Sequence, residues 1–116
     1  MNLDDAIQKH AEWKLKFRVA INKKETLDAK SICGDTNCTL GQWLRGEGRV
    51  LYGSKPIFSD LVTKHANFHR AAGKVAEVIN AGKYDIAVGM LDGGTEYTQS
   101  SVAVGIAIVA LKKEIS

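Results

Sequence analysis

Apolar residues recur at alternating three- and four-residue spacings along three long stretches of the chain, which is the pattern of amphipathic helices. The first predicted helix runs from about Leu3 to Lys23, and Asn2 can cap it. The residues on its apolar face are Leu3, Ile7, His10, Trp13, Phe17 and Ile21. His10 therefore occupies a position where a core helix usually carries leucine.

A second long helix is predicted from Pro56 to about Asn80, with proline in the first turn and Ala81-Gly82 as the end signal. Its apolar face comprises Phe58, Leu61, His65, Phe68, His69, Ala72, Val75 or Ala76, and Ile79. His65 and His69 are four residues apart, so they lie one above the other on the face that points into the core.

The last predicted helix spans about Tyr84 to Glu114, with Gly93-Gly94 as a weak point that bends it. Its inward positions are Ile86, Met90, Gly93, Tyr97, Ser101, Val104, Ile108, Leu111 and Ile115. The stretch Val102–Leu111 is apolar on every side, which indicates burial on every side. A second copy of the chain would provide that cover, so a homodimer is predicted; the alternative is a tightly enclosed helix in a monomer.

Between the first two long helices, a looser stretch rich in turn-forming residues leads to a short helix that starts at Leu40. Thr39 and Gln42 have the spacing of a capping box, and Gly46 ends this helix. Cys38 consequently precedes a helix N-terminus, where the helix dipole lowers the pKa of a thiol. The expected fold is a single all-α domain over residues 1–116: a four-helix bundle with a short extra helix after the first long helix.

Composition and charge argue against nucleic-acid-binding, membrane and secreted proteins. The chain has 116 residues, 45% of them apolar, and a net charge of +3 carried by scattered basic residues, so neither nucleic acid nor an extended charged surface is implied. The longest apolar run is half of what a membrane span needs, so no membrane partner is predicted. No secretory signal is visible, and two cysteines without one favour reduced thiols and a cytoplasmic location.

The three histidines, His10, His65 and His69, all fall on predicted core faces. A single core histidine is usually neutral and hydrogen-bonded, but three buried imidazoles without partners would be costly. A shared metal ion removes that cost by accepting a lone pair from each ring. Cys38 is the preferred fourth ligand, and Cys33 is a competing candidate in a less anchored segment. Three nitrogens and one thiolate suit tetrahedral Zn(II).

The motifs "HAEW" (His10 to Trp13), "CTLGQW" (Cys38 to Trp43) and "HANFH" (His65 to His69) resemble those of the chemoreceptor zinc-binding (CZB) domain family, in the same order and at similar spacing. The resemblance covers nearly the whole chain. It implies Zn(II) bound by His10, Cys38, His65 and His69, with Trp13, Gly41, Trp43 and Phe68 shaping the site. It also implies dimers that regulate an output domain of a bacterial chemoreceptor or diguanylate cyclase. This sequence contains neither output, so it is either a stand-alone version that acts on a partner or a part of a longer protein.

Three functions compete on these grounds. The first is a regulatory module that responds to zinc or to oxidation of Cys38, and the resemblance favours it. The second is a purely structural zinc site in a dimeric interaction module. The third, a metalloenzyme, is disfavoured because four protein ligands close the site and "KHANFHR" lacks the glutamate of H-E-x-x-H. Whether Cys33 and Cys38 form a disulfide in the absence of zinc stays open.

Overall fold

The computed structural model of the protein describes residues 1–115, and the regular elements over that range are helical. In chain order the helices are α1 (Leu3–Ala11), α2 (Trp13–Lys23), α3 (Ala29–Cys33), α4 (Thr39–Arg45), α5 (Glu47–Tyr52), α6 (Pro56–Asn80), α7 (Tyr84–Met90) and α8 (Glu96–Ile115). A single 3-10 turn, Asp35–Asn37, lies between α3 and α4. The all-α prediction is confirmed, whereas the four-helix-bundle arrangement stays a prediction.

The first predicted helix is present as α1 and α2, which are separated by one residue, Glu12. Glu12 keeps right-handed helical dihedral angles, φ −66° and ψ −20°, and its N–H donates to the carbonyl of Gln8 at 3.0 Å. The two helices therefore continue one another with a minor interruption. At the start, the predicted Asn2 cap is confirmed, because its side chain accepts a hydrogen bond from the Asp5 N–H at 2.9 Å.

Helix α6 is the element around which the others are arranged. It packs against α8, α3, α7 and α2, while α1 packs against α8. Pro56 occupies its first turn, where the missing N–H costs nothing. Every residue of the predicted inward face of α6 is buried, including both histidines. The periodicity of this segment predicted its orientation correctly because its apolar stripe is continuous over the whole helix.

The single long helix predicted from Tyr84 to Glu114 is wrong, because α7 and α8 are separate helices. Gly94, at φ +80°, lies in the turn that separates them, where glycine adopts the left-handed conformation without strain. The Thr95 hydroxyl donates to the Met90 carbonyl at 2.8 Å and accepts from the Thr98 N–H at 3.3 Å, so it joins the end of α7 to the start of α8. The prediction of an inward-facing Ile86 is wrong as well: Ile86 is exposed and Ala87 is buried instead.

The apolar stretch of α8 is buried on one side only. Val104, Ile108 and Leu111 are buried, whereas Val102 and Ile106 are exposed. The expectation that this helix is covered on every side is therefore not met within one chain. No helix in the described part of the chain combines the length and the apolar character needed to cross a membrane.

The segment between α2 and α6 is more helical than the sequence indicated. Helix α4 begins at Thr39, and its N-cap is Cys38, whose sulfur accepts the Gly41 N–H. The predicted Thr39–Gln42 capping box is therefore wrong, because the cysteine preceding it already occupies the cap position. Helices α3 and α5 were not predicted, since helices this short contain too few residues to show a periodic pattern.

The contact between α3 and α6 generates a prediction about stability. A Cβ atom at Gly73 of α6 would lie 2.7 Å from the Cβ of Cys33, whereas one at Gly89 of α7 would meet nothing within 4 Å. We expect Gly73→Ala to lower the free energy of unfolding by about 1–3 kcal/mol, the usual cost of overpacking. Gly89→Ala, the matched control, should leave it unchanged or raise it by up to about 1 kcal/mol through helix propensity. Urea unfolding followed by circular dichroism measures both, and equal stabilities would contradict the close approach of α3 to α6.

Candidate metal centre

Three imidazole side chains meet inside the helical core. His10 comes from α1, and His65 and His69 come from successive turns of α6. Their exposed fractions are 6%, 0% and 3% respectively. The sequence prediction that all three face the core is confirmed.

Backbone carbonyls fix the orientation of two of these rings. His10 Nδ1 lies 2.7 Å from the carbonyl oxygen of Ala6, and His69 Nδ1 lies 2.8 Å from that of Ile32. A carbonyl oxygen can only accept, so each Nδ1 must carry the hydrogen and donate. In the neutral ring, the Nε2 atoms of His10 and His69 are then left with free lone pairs.

The third ring brings the nitrogens to a common point. His65 Nε2 lies 3.1 Å from His10 Nε2 and 3.0 Å from His69 Nε2. Since both neighbours present lone pairs, a proton on His65 Nε2 could satisfy only one of them. His65 Nδ1 is buried and has no hydrogen-bond partner among the described residues. The N–H groups of the three rings therefore cannot provide a donor for every Nε2 lone pair. A cation at the point where the three Nε2 atoms meet would accept all three lone pairs.

Cys38 completes the cluster from the start of α4. Its sulfur lies 3.2 Å from His65 Nε2 and 3.5 Å from His69 Nε2. One donor atom from each of the four side chains lies within 4.8 Å of the others. Cys33 is exposed and does not belong to this group. The structure therefore brings together the four side chains that the sequence singled out, with Cys38 and not Cys33 as the sulfur.

The pKa of the Cys38 thiol differs from the sequence-based prediction. Burial raises the pKa of the Cys38 thiol, and this effect exceeds the opposing hydrogen bonds from the backbone N–H groups of Gly41 and Leu40. The prediction that the start of α4 lowers the pKa of Cys38 is therefore wrong for the metal-free protein. Burial also lowers the pKa of His10 and His69, and that of His65 to about 3. A thiol ligand must be deprotonated to bind a metal, so metal binding at this site releases a proton from Cys38.

The spacing of the donor atoms fits a small tetrahedral cation. Zinc has Zn–N distances of about 2.0–2.1 Å and Zn–S distances of about 2.3 Å, so its ligand atoms are separated by about 3.3–3.6 Å. Four of the donor separations lie between 3.0 Å, for His65 and His69, and 3.5 Å, for Cys38 and His69, and all four donor atoms lie within 4.8 Å of one another. Three imidazole nitrogens and one sulfur are also a donor set that zinc prefers. Both the spacing and the chemistry of the four residues therefore fit Zn(II).

Close packing holds the Cys38 segment against α6. A Cβ atom at Gly41 would overlap the carbonyl oxygen of Asp35 and lie 3.1 Å from Cε1 of His65, so only glycine permits this approach. The Asp35 carboxylate in turn accepts from the Arg45 guanidinium at 3.3 Å, which links the 3-10 turn to the end of α4. Gly41 thus lets the loop wrap over the histidines.

The aromatic residues of the three motifs have different positions. Phe68 is fully buried, and its ring lies edge-on to His10 and His69 at centroid distances of 5.3 and 5.5 Å. Trp13 packs against Phe17 at 5.5 Å. Phe68 therefore contacts the candidate ligands directly. Trp43 belongs to a second aromatic group on α4, α5 and α6, described below.

The two carbonyl groups that orient the rings, those of Ala6 and Ile32, were not predicted. The Ala6 carbonyl lies one helical turn before His10, so its position follows from the helix itself. The Ile32 carbonyl belongs to α3, which had not been predicted as a helix. No side-chain signal in the sequence identifies a backbone acceptor of this kind.

The placement of the two cysteines predicts different effects of their substitution. Cys38→Ser should lower zinc affinity at least about tenfold, because a neutral hydroxyl is a poor replacement for a thiolate ligand. Cys33→Ser, the matched control, should leave affinity unchanged since this exposed sulfur lies outside the cluster. Competition titration with a chromophoric chelator measures both, and a larger loss for the Cys33 variant would show that the wrong thiol has been assigned.

Comparison with known proteins agrees with this site. The sequence model of the chemoreceptor zinc-binding domain matches residues 10–76, more than half of the 116 residues, and the matched range includes His10, Cys38, His65 and His69. Searches of curated proteins and of solved structures returned no match. The extent of the family match, together with a cluster of four side chains whose spacing fits zinc, shows that the chain belongs to the chemoreceptor zinc-binding domain family.

Proposed function

We propose that this protein is a zinc-responsive regulatory module, in which one Zn(II) bound by His10, Cys38, His65 and His69 controls a signalling partner. The observation that carries the proposal is the origin of the four donor atoms in three separate segments: α1, the start of α4, and α6. A bound zinc would add four coordinate bonds to the hydrogen-bond contacts that already join these segments. The family membership supports zinc as the ion. The proposed partner is the output domain of a chemoreceptor or a diguanylate cyclase.

Cys38 is the residue through which loss of zinc would alter the fold. Its sulfur is both the candidate metal ligand and the N-cap of α4. Helix α4 has only seven residues, whereas the histidine pair lies on the 25-residue α6. A helix as short as α4 is marginal without external support, so it should be the first element released. Zinc-coupled folding on the order of 10 kcal/mol exceeds the few kcal/mol needed to shift such a local equilibrium.

Two signals are compatible with this arrangement: the zinc level and oxidation of Cys38. The three histidines are buried, but Cys38 is only partly buried. It lines a cleft of about 290 Å³ that also contains Asn2, Lys9 and Trp13. His10 lines the same cleft, but a cysteine sulfur is oxidised far more readily than an imidazole, so a small oxidant that enters would act on Cys38. Conversion of Cys38 to a sulfenic acid removes the thiolate ligand, and reduction by a thiol restores it.

Two alternatives use the same residues in other ways. A purely structural zinc would hold the same four ligands permanently and would not respond to the zinc level. A metalloenzyme is disfavoured because four protein donors occupy a tetrahedral shell, which leaves no position for a catalytic water. In residues 1–115 the donor cluster contains no carboxylate that could act as a base. The proposal is therefore a regulatory domain without catalytic activity.

We also propose that the protein forms a homodimer in the cytoplasm through the outer face of α8. Val102, Ile106 and Val109 are exposed there, and with Ile7 of α1 they line a predominantly apolar cleft of about 450 Å³. An exposed apolar face of this kind is typical of an interface between subunits. A two-fold dimer would let each copy cover the face of the other.

Hydrogen–deuterium exchange separates the regulatory function from the structural one. After a chelator removes the zinc, amide protection in residues 38–45 should fall first, while that of α6 persists, because α4 depends on the cap at Cys38. Measured zinc content on the same samples confirms that metal loss accompanies the change. Simultaneous loss of protection throughout the protein would instead indicate a structural zinc, and unchanged protection in α4 would contradict the regulatory proposal.

The homodimer predicts a specific effect of a charge on α8. Ile106, which is 65% exposed, lies in the proposed interface, so Ile106→Glu should convert the dimer to a monomer of 12.6 kDa. Val88→Glu on α7 introduces the same charge at another exposed apolar position and should leave the dimer intact. Light scattering at micromolar concentration measures both masses. A monomeric wild-type protein would refute the dimer.

A further inference from the structure

A second apolar surface lies on α5, away from the outer face of α8. Val50 is 85% exposed and Leu51 is 56% exposed, on a helix of only six residues. Neither side chain contributes to the buried core. Two adjacent large apolar residues in water are unfavourable unless a partner covers them, so this surface is a candidate docking site.

A cleft of about 320 Å³ adjoins this helix, between the end of α4, α5 and the start of α6. Its apolar lining residues are Leu44, Phe58 and Val62, and its polar ones are Arg45, Arg49, Ser59 and Thr63. The cleft thus combines apolar side chains with two guanidinium groups and two hydroxyl groups. We call the cleft together with Val50 and Leu51 the α5 surface.

The two charged residues that line the cleft are both arginines, whereas Glu47, in the first turn of α5, lies outside the cleft. Arg45 is paired with Asp35 at 3.3 Å and is therefore partly neutralised. Arg49 is exposed and has no ion-pair partner within the described residues, and no acidic residue lines the cleft. A guanidinium group binds a carboxylate through two parallel hydrogen bonds. The surface therefore complements a segment that carries carboxylates next to apolar side chains.

The α5 surface is connected to the metal centre through α4. Cys38 caps the N-terminus of α4. Arg45, the last residue of α4, forms an ion pair with Asp35 in the 3-10 turn. Near the middle of α4, the Trp43 ring packs against Tyr52 and Phe58 at centroid distances of 6.0 and 6.1 Å. Release of α4 would therefore disturb both the cleft and the support of α5.

We infer that the α5 surface docks an acidic segment of a signalling protein, with leucine or isoleucine side chains that cover Val50 and Leu51 and carboxylates that bind Arg49. Docking is tightest when zinc holds α4 in place. The metal dependence rests on the proposed regulatory function, whereas the docking itself does not.

Other occupants fit the α5 surface less well. A second copy of this chain would bring a second unpaired Arg49, and no carboxylate lines the cleft of either copy to pair with it. An anionic membrane would offer negative charge, but this surface carries one unpaired arginine, and membrane-binding segments use clusters of basic residues. The concave cleft also suits a side chain better than it suits a flat layer of headgroups. A protein segment is the occupant that uses both the cleft and the apolar residues.

Selection from a phage library of random 12-residue peptides on the zinc-loaded protein tests this inference. The selected peptides should be rich in Asp and Glu combined with Leu or Ile. Their affinity should fall at least about tenfold for Arg49→Glu, as expected when a rim charge is reversed. Arg18→Glu is the matched control: it reverses another exposed arginine, on α2 outside the α5 surface, and should leave affinity unchanged. Circular dichroism and zinc content establish that each variant is folded and loaded.

The outcomes distinguish the docking surface from the metal switch. Basic or uncharged peptides, peptides insensitive to Arg49→Glu, or no enriched peptide at all would overturn the docking inference. Binding to vesicles of anionic phospholipid that is lost in Arg49→Glu would also overturn it, in favour of a membrane. An acidic peptide that binds the chelated and zinc-loaded protein equally would overturn the metal dependence alone. A protein that holds no zinc would instead refute the proposed function, whatever the peptides show.

Discussion

The burial of three imidazoles around one point is the constraint on which the rest of the structure depends. His10 and His69 each direct a lone pair towards His65, because the carbonyls of Ala6 and Ile32 hold the hydrogens on the far side of their rings. A proton on His65 can meet one of these lone pairs and the Cys38 S–H is only a weak donor to the other, whereas a metal ion would accept lone pairs from all three rings. The core of this protein is therefore not purely apolar. Its apolar residues pack around a polar centre formed by the three imidazoles.

The same constraint explains why short helices surround the site. Helix α3 supplies the carbonyl that orients His69, and it can do so because Gly73 lets α3 lie close to α6. Helix α4 begins at Cys38, so the candidate ligand and the helix cap are the same sulfur. Local structure and metal binding are consequently coupled: whatever removes the sulfur from the cluster also removes the cap from α4. In the proposed function, this coupling would convert a chemical event at one sulfur into movement of a surface helix.

Much of this arrangement was predictable from the sequence, and the reasons for the failures are physical. The orientation of α6 and the inward positions of all three histidines followed from helical periodicity, because the apolar stripes are long. The break before α8 was underestimated, since it depends on Thr95 joining two helix ends as well as on Gly94. The pKa of Cys38 was predicted in the wrong direction because burial outweighs the hydrogen bonds from the Gly41 and Leu40 N–H groups. No pattern in the sequence predicts helix α5 or the role of the Ile32 carbonyl.

The most direct measurement is X-ray absorption spectroscopy at the zinc edge, combined with metal analysis by plasma mass spectrometry, on protein purified without added metal or chelator. The account predicts one zinc per chain, surrounded by three nitrogen ligands at about 2.0–2.1 Å and one sulfur at about 2.3 Å. A folded protein that contains no zinc and rejects added zinc would contradict it. So would a zinc without a sulfur ligand, because Cys38 would then have no part in holding the ion.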